Sequence, residues 1–252
     1  MIIVCEPSYQ LKLAHLYAAQ MNVYGDRGNV IALRQRCLWR GIDLSVTAIE
    51  PGDQPDWASF DLAFFGGGQD SGQALIAQDL LERQGPGLRA ALEDGLVLLA
   101  ICGGYQLLGH YFLTHTGERL PGLGVLDVHT IGGNQRLIGN IVVEADLPTV
   151  GPVRLVGFEN HSGRTYHGPG VQSMGRVLAG HGDNGEDGRG GAIYRNTFGC
   201  YLHGSLLPKN PQLTDHLISL ALRRRYGPAA QLAPLDATLE LHAQQTMIQR
   251  LI

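Results

Sequence analysis

Cys102 closes the apolar run Val97-Leu98-Leu99-Ala100-Ile101 and is followed at once by Gly103-Gly104-Tyr105-Gln106 and a helical pattern. A strand that turns sharply into a helix holds one side chain at the tip of the turn. The two glycines let the backbone make approaches that a Cβ would block. A thiol placed there is a candidate nucleophile, because the free N–H groups of a helix start favour the thiolate, the reactive form. The competing reading of a single cysteine is a buried, inert core residue.

A second glycine cluster, Gly66-Gly67-Gly68, ends the apolar run Leu62–Phe65. Loops after parallel strands gather at the carboxyl edge of a sheet, where ligands bind. The two clusters therefore share one crevice. A thiolate beside backbone N–H donors suits acyl transfer, with a nucleophile next to an oxyanion hole. A phosphate cradle fits less well, since the chain has neither GxGxxG at this break nor GxxxxGK[ST] anywhere. A cysteine nucleophile needs a base, normally a histidine distant in sequence. Of ten histidines, His203 is the best placed, after the apolar run Phe198–Leu202 and before Gly204-Ser205. Cys200 and His203 form half of a C-x-x-H metal pattern, but no second pair has zinc-like spacing. His110 and His115 read as surface residues.

These residues require a scaffold of alternating strands and helices. Strands are expected at 2–5, Leu44–Ile49, Leu62–Phe65 and Leu96–Ile101. Helices are expected at 26–40, with Ile31, Leu33, Leu38 and Trp39 among its apolar positions, and at 72–93. The second helix carries the stripe Leu75, Leu80, Leu81, Leu88, Leu92 and is closed by Gly95. Continuously apolar strands indicate a parallel sheet covered on both faces. The second half is β-rich, with short runs at Gly124–Val128, Ile138–Val143, Leu155–Phe158, Arg176–Leu178, Ala192–Tyr194 and Phe198–Leu202. Residues 180–188 read as an exposed loop. A helix is expected over Pro211–Arg225, and another from Asp236, its possible N-cap. The fold class is thus α/β, a doubly wound, mostly parallel sheet with extra β-rich segments.

The chain has 252 residues, 44% hydrophobic, with 35 glycines and a net charge of −4. That leaves ample core for one large domain. The charge gives no basic face, so nucleic acid is a poor partner. The N-terminal residues lack the pattern of a signal peptide, and no apolar run reaches the length of about 18 residues that a membrane span needs. The four cysteines, Cys5, Cys37, Cys102 and Cys200, are scattered, as expected for a reduced, cytoplasmic protein.

Together these segments resemble the triad-type (class I) glutamine amidotransferases, whose elbow Cys-x-Gly-x-Gln is matched by Cys102, Gly104 and Gln106. The resemblance covers about residues 1–210. Gly157-Phe158-Glu159-Asn160-His161-Ser162-Gly163-Arg164-Thr165 is similar to a segment of the cobyric acid synthase branch. Asn22-Val23-Tyr24-Gly25-Asp26-Arg27-Gly28-Asn29 and Cys37–Ile42 most closely resemble the glutaminase subunits, the GatD family, of lipid II isoglutaminyl synthase. The length suits a stand-alone subunit.

The resemblance implies a flavodoxin-like glutaminase domain over 1–230 and a C-terminal helical extension over 231–252. It implies Cys102 as nucleophile, His203 as base, the amides of Gly67 and Gly103 as oxyanion hole, and Gln106 and Arg136 as glutamine-binding residues. It also implies a Mur-ligase-like partner of the MurT type that carries ATP and Mg²⁺ and amidates D-glutamate in lipid II. This chain would then meet the lipid only indirectly and hold no cofactor or metal of its own. One departure stands out: Ser205 occupies the position where class I enzymes usually carry a glutamate two residues after the histidine. Glu159 and Asp127 are the in-chain carboxylates considered for orienting His203, unless the partner supplies one or a Cys–His dyad suffices. The other readings are amidation of a cobalamin-type acceptor, a cysteine peptidase on the same scaffold, and a non-catalytic interaction subunit.

Overall fold

The computed structural model describes residues 9–22, 25–148 and 150–252. The expected strand at 2–5, Cys5, and Val23-Tyr24 lie outside the described residues. The first described strand is β1, Tyr9–Leu16, which sequence reasoning did not anticipate. Its polar Gln10 and Lys12 interrupt the apolar run, yet from Leu13 to Leu16 every residue is buried between neighbours on both sides.

The other strands of the main sheet are β2 (Ile42–Ile49), β3 (Leu62–Phe65), β4 (Val97–Ile101), β9 (Gln172–Ser173), β11 (Ala192–Tyr194) and β12 (Thr197–Cys200). Their order is β2-β1-β3-β4-β12-β11-β9. From β2 to β12 all pairs are parallel, and β11 and β9 add an antiparallel margin. Every residue of β3, β4 and β12 is buried, as covered parallel strands require.

Helices α1 (Arg27–Leu38), α5 (Leu206–Lys209) and α6 (Pro211–Tyr226) pack together, with α6 lying across β1, β3 and β4. Helix α2 (Asp70–Asp79) packs with α4 (Gly103–Leu108), which rests on β4 and β12. The helix expected over 72–93 is α2, a π-helical turn at Leu80–Gln84, and α3 (Gly85–Glu93). Pro86 lies at the start of α3 and cannot donate a helical hydrogen bond, and the wider turn before it accommodates that loss. Gly95 ends α3 at φ +92°, as expected.

Two apolar assignments are corrected. Along α1, Val30, Leu33 and Cys37 face the core, whereas Ile31, Leu38 and Trp39 are exposed. Leu75 is also exposed.

The second half is less fragmented than its sequence suggests. Strands β5 (Tyr111–Leu113), β6 (Arg119–Pro121), β7 (Val128–Leu147), β8 (Gly151–His167) and β10 (Gly175–Ala179) form a second sheet. Strands β7 and β8 make one long antiparallel hairpin, broken in register between Gly132 and Leu137. Glycines that read as turn signals are absorbed there as a bulge. The 180–188 loop is only partly exposed: Asp183 and Asn184 are buried, and Asp183 accepts hydrogen bonds from Tyr105 of α4 and the Gly191 N–H.

Helix α7 (Thr238–Leu251) follows Asp236, whose Oδ1 accepts both the N–H and the hydroxyl of Thr238. It packs on β7, β8 and α5, with Ile248 against Val142 and Val156. Among the described residues no helix is long and apolar enough to cross a membrane.

Candidate active site

Four loops leave the carboxyl ends of neighbouring parallel strands and meet. Asp26 follows β1, Gly66–Gly68 follow β3, Cys102 follows β4, and His203 follows β12. Cys102 sits at φ +50°, ψ −106°, a conformation that costs a non-glycine residue on the order of 1–3 kcal/mol. Neighbouring strands hold it there: the Cys102 N–H donates to Cys200 O at 2.9 Å and the Gly104 N–H to Gly66 O at 3.1 Å. A Cβ on Gly104 would come within 2.7 Å of Phe65 O, so only glycine lets the elbow lie against β3.

His203 is 1% exposed. Its backbone pairs with Phe158 of β8, donating to Phe158 O at 2.8 Å and accepting from the Phe158 N–H at 3.2 Å. Its Nδ1 lies 3.6 Å from Asp26 Oδ1. Burial, the largest influence on the imidazole, lowers its pKa, but the interactions with Cys102 and with the Asp26 carboxylate together outweigh burial and raise it to about 10. Asp26 is fully buried, and its second oxygen accepts the Gly67 N–H at 2.7 Å. The site therefore brings a thiol, an imidazole and a carboxylate together in the order Cys102, His203, Asp26, the spatial arrangement of a triad.

Asp26 is the residue that sequence reasoning missed. It lies in the Asn22–Asn29 segment of the family resemblance and just before α1, where it read as the first residue of the helix expected at 26–40, with no role of its own. Placing the first sheet strand at 9–16 would have put it at the carboxyl edge with the other loops. The two carboxylates considered instead are engaged elsewhere. Glu159 accepts the N–H groups of His181 and Gly182 at 2.7 and 2.9 Å. Asp127 is bonded to His110 and to the Gly170 N–H. Ser205 donates to Gly25 O at 2.7 Å, tying the His203 loop to the chain just before Asp26.

The oxyanion assignment of Gly67 is also corrected, because its N–H is committed to Asp26. A Cβ there would stand 3.0 Å from both Asp26 Oδ2 and His203 Cε1, so this glycine gives the triad room. Gly68 lines the cavity beside Cys102. Gly103 opens α4, where N–H groups lack intrahelical acceptors.

The cavity in front of Cys102 has a volume of about 360 Å³, in the range of small-ligand sites. Its walls include Gln106, Arg136, Asn160 and His161. Arg136 Nε and Nη2 donate to Asn160 Oδ1 and O at 2.8 and 3.1 Å, which holds the guanidinium on the cavity wall. Gln106 is buried, and both ends of its carboxamide are used: it accepts from Gln73 at 2.9 Å and donates to Tyr201 at 3.0 Å. It shapes the wall through that chain. His115 is exposed but reaches the cavity, paired with Asp70 at 3.6 Å. Among the described residues, Cys37, Cys102 and Cys200 are free, and no group of three or more His, Cys, Asp or Glu could hold a metal ion.

Comparison with known proteins places the chain in a family. The CobB/CobQ-like glutamine amidotransferase domain matches residues 12–211, a stretch that contains Asp26, Cys102, Arg136 and His203. The chain belongs to the CobB/CobQ-like glutamine amidotransferase family. Among curated members it is 43% identical, over 96% of both chains, to the lipid II isoglutaminyl synthase (glutamine-hydrolyzing) subunit GatD of Staphylococcus aureus. The subunit of the same name from Streptococcus pneumoniae is 41% identical over 92% of this chain and 88% of that one. Among solved structures, a chain of PurLQS from Thermotoga maritima superposes with a TM-score of 0.56 at 16% identity, covering 84% of this chain and 98% of that chain. At that identity the likeness concerns the fold alone, and it agrees with the α/β architecture. In this glutamine amidotransferase chain the elbow, the glycine loop and the late histidine all lie at one sheet edge.

Proposed function

We propose that this chain is the glutamine-hydrolysing subunit of a lipid II isoglutaminyl synthase. The observation that carries the reading is the meeting of Cys102 with the buried His203 and Asp26, where Cys102 opens onto a cavity walled by Arg136. The near full-length similarity to subunits of that name supports the destination of the ammonia.

In this mechanism the Arg136 guanidinium binds the α-carboxylate of L-glutamine. His203, oriented by Asp26, takes the Cys102 proton, and the sulfur attacks the side-chain carboxamide carbon. The N–H groups of Gly103 and Gly68 face the developing oxyanion. His203 passes its proton to the leaving nitrogen, ammonia departs, and a γ-glutamyl thioester remains. Water, deprotonated by His203, then cleaves the thioester to glutamate and restores the thiol.

The ammonia passes to a Mur-ligase-like subunit of the MurT type. That partner carries ATP and Mg²⁺ and amidates the α-carboxyl of D-glutamate in lipid II to D-isoglutamine. The complex works in the cytoplasm, and this chain touches the lipid substrate only through its partner.

The test is glutamate release from L-glutamine, measured for the chain alone and with the partner, together with amidation of lipid II. Activity of the chain alone is expected to be weak and to rise with the partner. Cys102→Ala is expected to abolish glutamine-dependent amidation and to leave amidation from ammonium salts intact. A Cys102→Ala complex that still releases ammonia from glutamine refutes the assigned nucleophile.

A further inference from the structure

His161 has no part in the mechanism above, yet it is 3% exposed and lines the cavity with Cys102. Its ring stacks on Tyr201 at 3.6 Å between centroids and 8° between planes. Its Nδ1 lies 2.8 Å from Gly163 O. A carbonyl only accepts, so Nδ1 carries the hydrogen and Nε2 presents a lone pair. Nε2 is buried and has no hydrogen-bond partner among the described residues. A buried acceptor left unmatched costs about 1–3 kcal/mol, and a ligand that donates to it recovers that loss.

The donor's chemistry follows from the surroundings. Burial first, then the positive charges of His203, Arg164 and Arg136, hold the imidazole neutral, with its pKa lowered to about 3. The same charges disfavour an ammonium group at Nε2. A neutral N–H donor fits. His161 also lies close to the reacting end, because β8 pairs with the His203 segment at Phe158, and Tyr201, under the His161 ring, lies two residues before His203 in sequence.

We propose that His161 is a specificity-determining residue of this cavity, its Nε2 accepting an N–H of the substrate carboxamide and so selecting glutamine over glutamate. This inference rests on the glutamine reading above. Glutamine offers an NH₂ donor at that point, whereas glutamate offers only carboxylate lone pairs, which oppose the lone pair of Nε2. The positive charges around the cavity would otherwise favour the anionic product, so the neutral acceptor also helps to eject it.

The test measures binding by calorimetry in the full-length Cys102→Ala protein, which cannot turn substrate over, and in the Cys102→Ala, His161→Phe double variant. Phenylalanine keeps the stack on Tyr201 and removes the acceptor. The ligands are L-glutamine, L-glutamate and 4-carbamoylbutanoate, which lacks the α-ammonium. The preference for glutamine over glutamate is expected to fall about 10-fold in the double variant, the worth of one buried hydrogen bond. The preference for glutamine over 4-carbamoylbutanoate is expected to stay constant. An unchanged glutamine-to-glutamate ratio overturns the proposal, as does a loss that falls on 4-carbamoylbutanoate instead. Imidazole ¹⁵N spectra of Cys102→Ala alone give a second measurement that does not depend on the double variant folding. Glutamine, but not glutamate, is expected to shift the Nε2 resonance, and absence of that shift overturns the proposal. No glutamine binding in Cys102→Ala overturns the functional reading itself, whereas binding indifferent to His161 overturns only this inference.

Discussion

Asp26→Asn tests the triad directly. The substitution keeps the shape of the side chain and leaves an oxygen to accept the Gly67 N–H, which aspartate accepts at 2.7 Å. It removes the charge that lies 3.6 Å from His203 Nδ1. Two unit charges at that separation, with an effective dielectric of about 20, interact by roughly 4–5 kcal/mol, or about three pKa units. His203 then falls below about 10, while Cys102, the largest of the raising influences, still acts on it. The asparagine NH₂ also faces Nδ1 in place of the carboxylate, which favours the tautomer with the ring proton on Nε2 and opposes acceptance of the thiol proton. In Ser-His-Asp enzymes a change of this kind costs about 10⁴ in kcat. The contact here is longer than a hydrogen bond, so a loss of about 10²–10³ in kcat/KM for glutamine is expected. The assay pairs glutamate release with the pH profile of Cys102 alkylation by iodoacetamide, read by peptide mass. Burial pushes the Cys37 and Cys200 thiols up to about 12, so neither competes near neutral pH. Alkylation at pH 7 is expected to slow at least 10-fold, with the thermal midpoint little changed. An Asp26→Asn protein within threefold of its parent in kcat/KM, with an unshifted alkylation profile, would show that His203 needs no carboxylate.

Two further outcomes follow from the same geometry. In the proposed mechanism Arg136 makes a charge-assisted contact with glutamine equally in ground and transition states, so in Arg136→Ala KM for glutamine is expected to rise roughly 10–100-fold with kcat nearly constant; an equal fall in kcat would move Arg136 into the chemistry. Burial lowers His161 to about 3 and His216 to about 4. Because each folded value lies below the ordinary 6.5, the unfolded chain binds more protons between the two values. Stability is therefore intact above pH 6.5 and lost as pH falls below it, by about 2 kcal/mol per histidine at pH 5. Thermal midpoints from pH 7 to 5 are expected to drop less steeply in His216→Phe, and identical slopes would contradict this linkage.

The sequence alone determined the parts of this site whose physics is local. An apolar run ending in Cys102-Gly103-Gly104 forces a strand, a tight turn and a helix, whatever surrounds it. The same holds for the Leu62–Phe65 strand and its glycine loop, and for His203 after Phe198–Leu202. The family resemblance rested on those local motifs, and the comparisons with known proteins bear it out.

Tertiary structure decided what depends on residues far apart in the chain. Glycines in β7 read as turns because a bulge is visible only when its partner strand is present. The Gly67 N–H was free in the sequence and is occupied in the fold, since Asp26 reaches it across 41 residues. Asp26 lies in a segment of the family resemblance, yet nothing local to it marks a carboxylate that meets His203. A carboxylate before a helix looks like a cap, and only the parallel pairing of β1 with β3 brings it beneath His203. Motifs record what a side chain can do, whereas the sheet order records which side chains it can do it with.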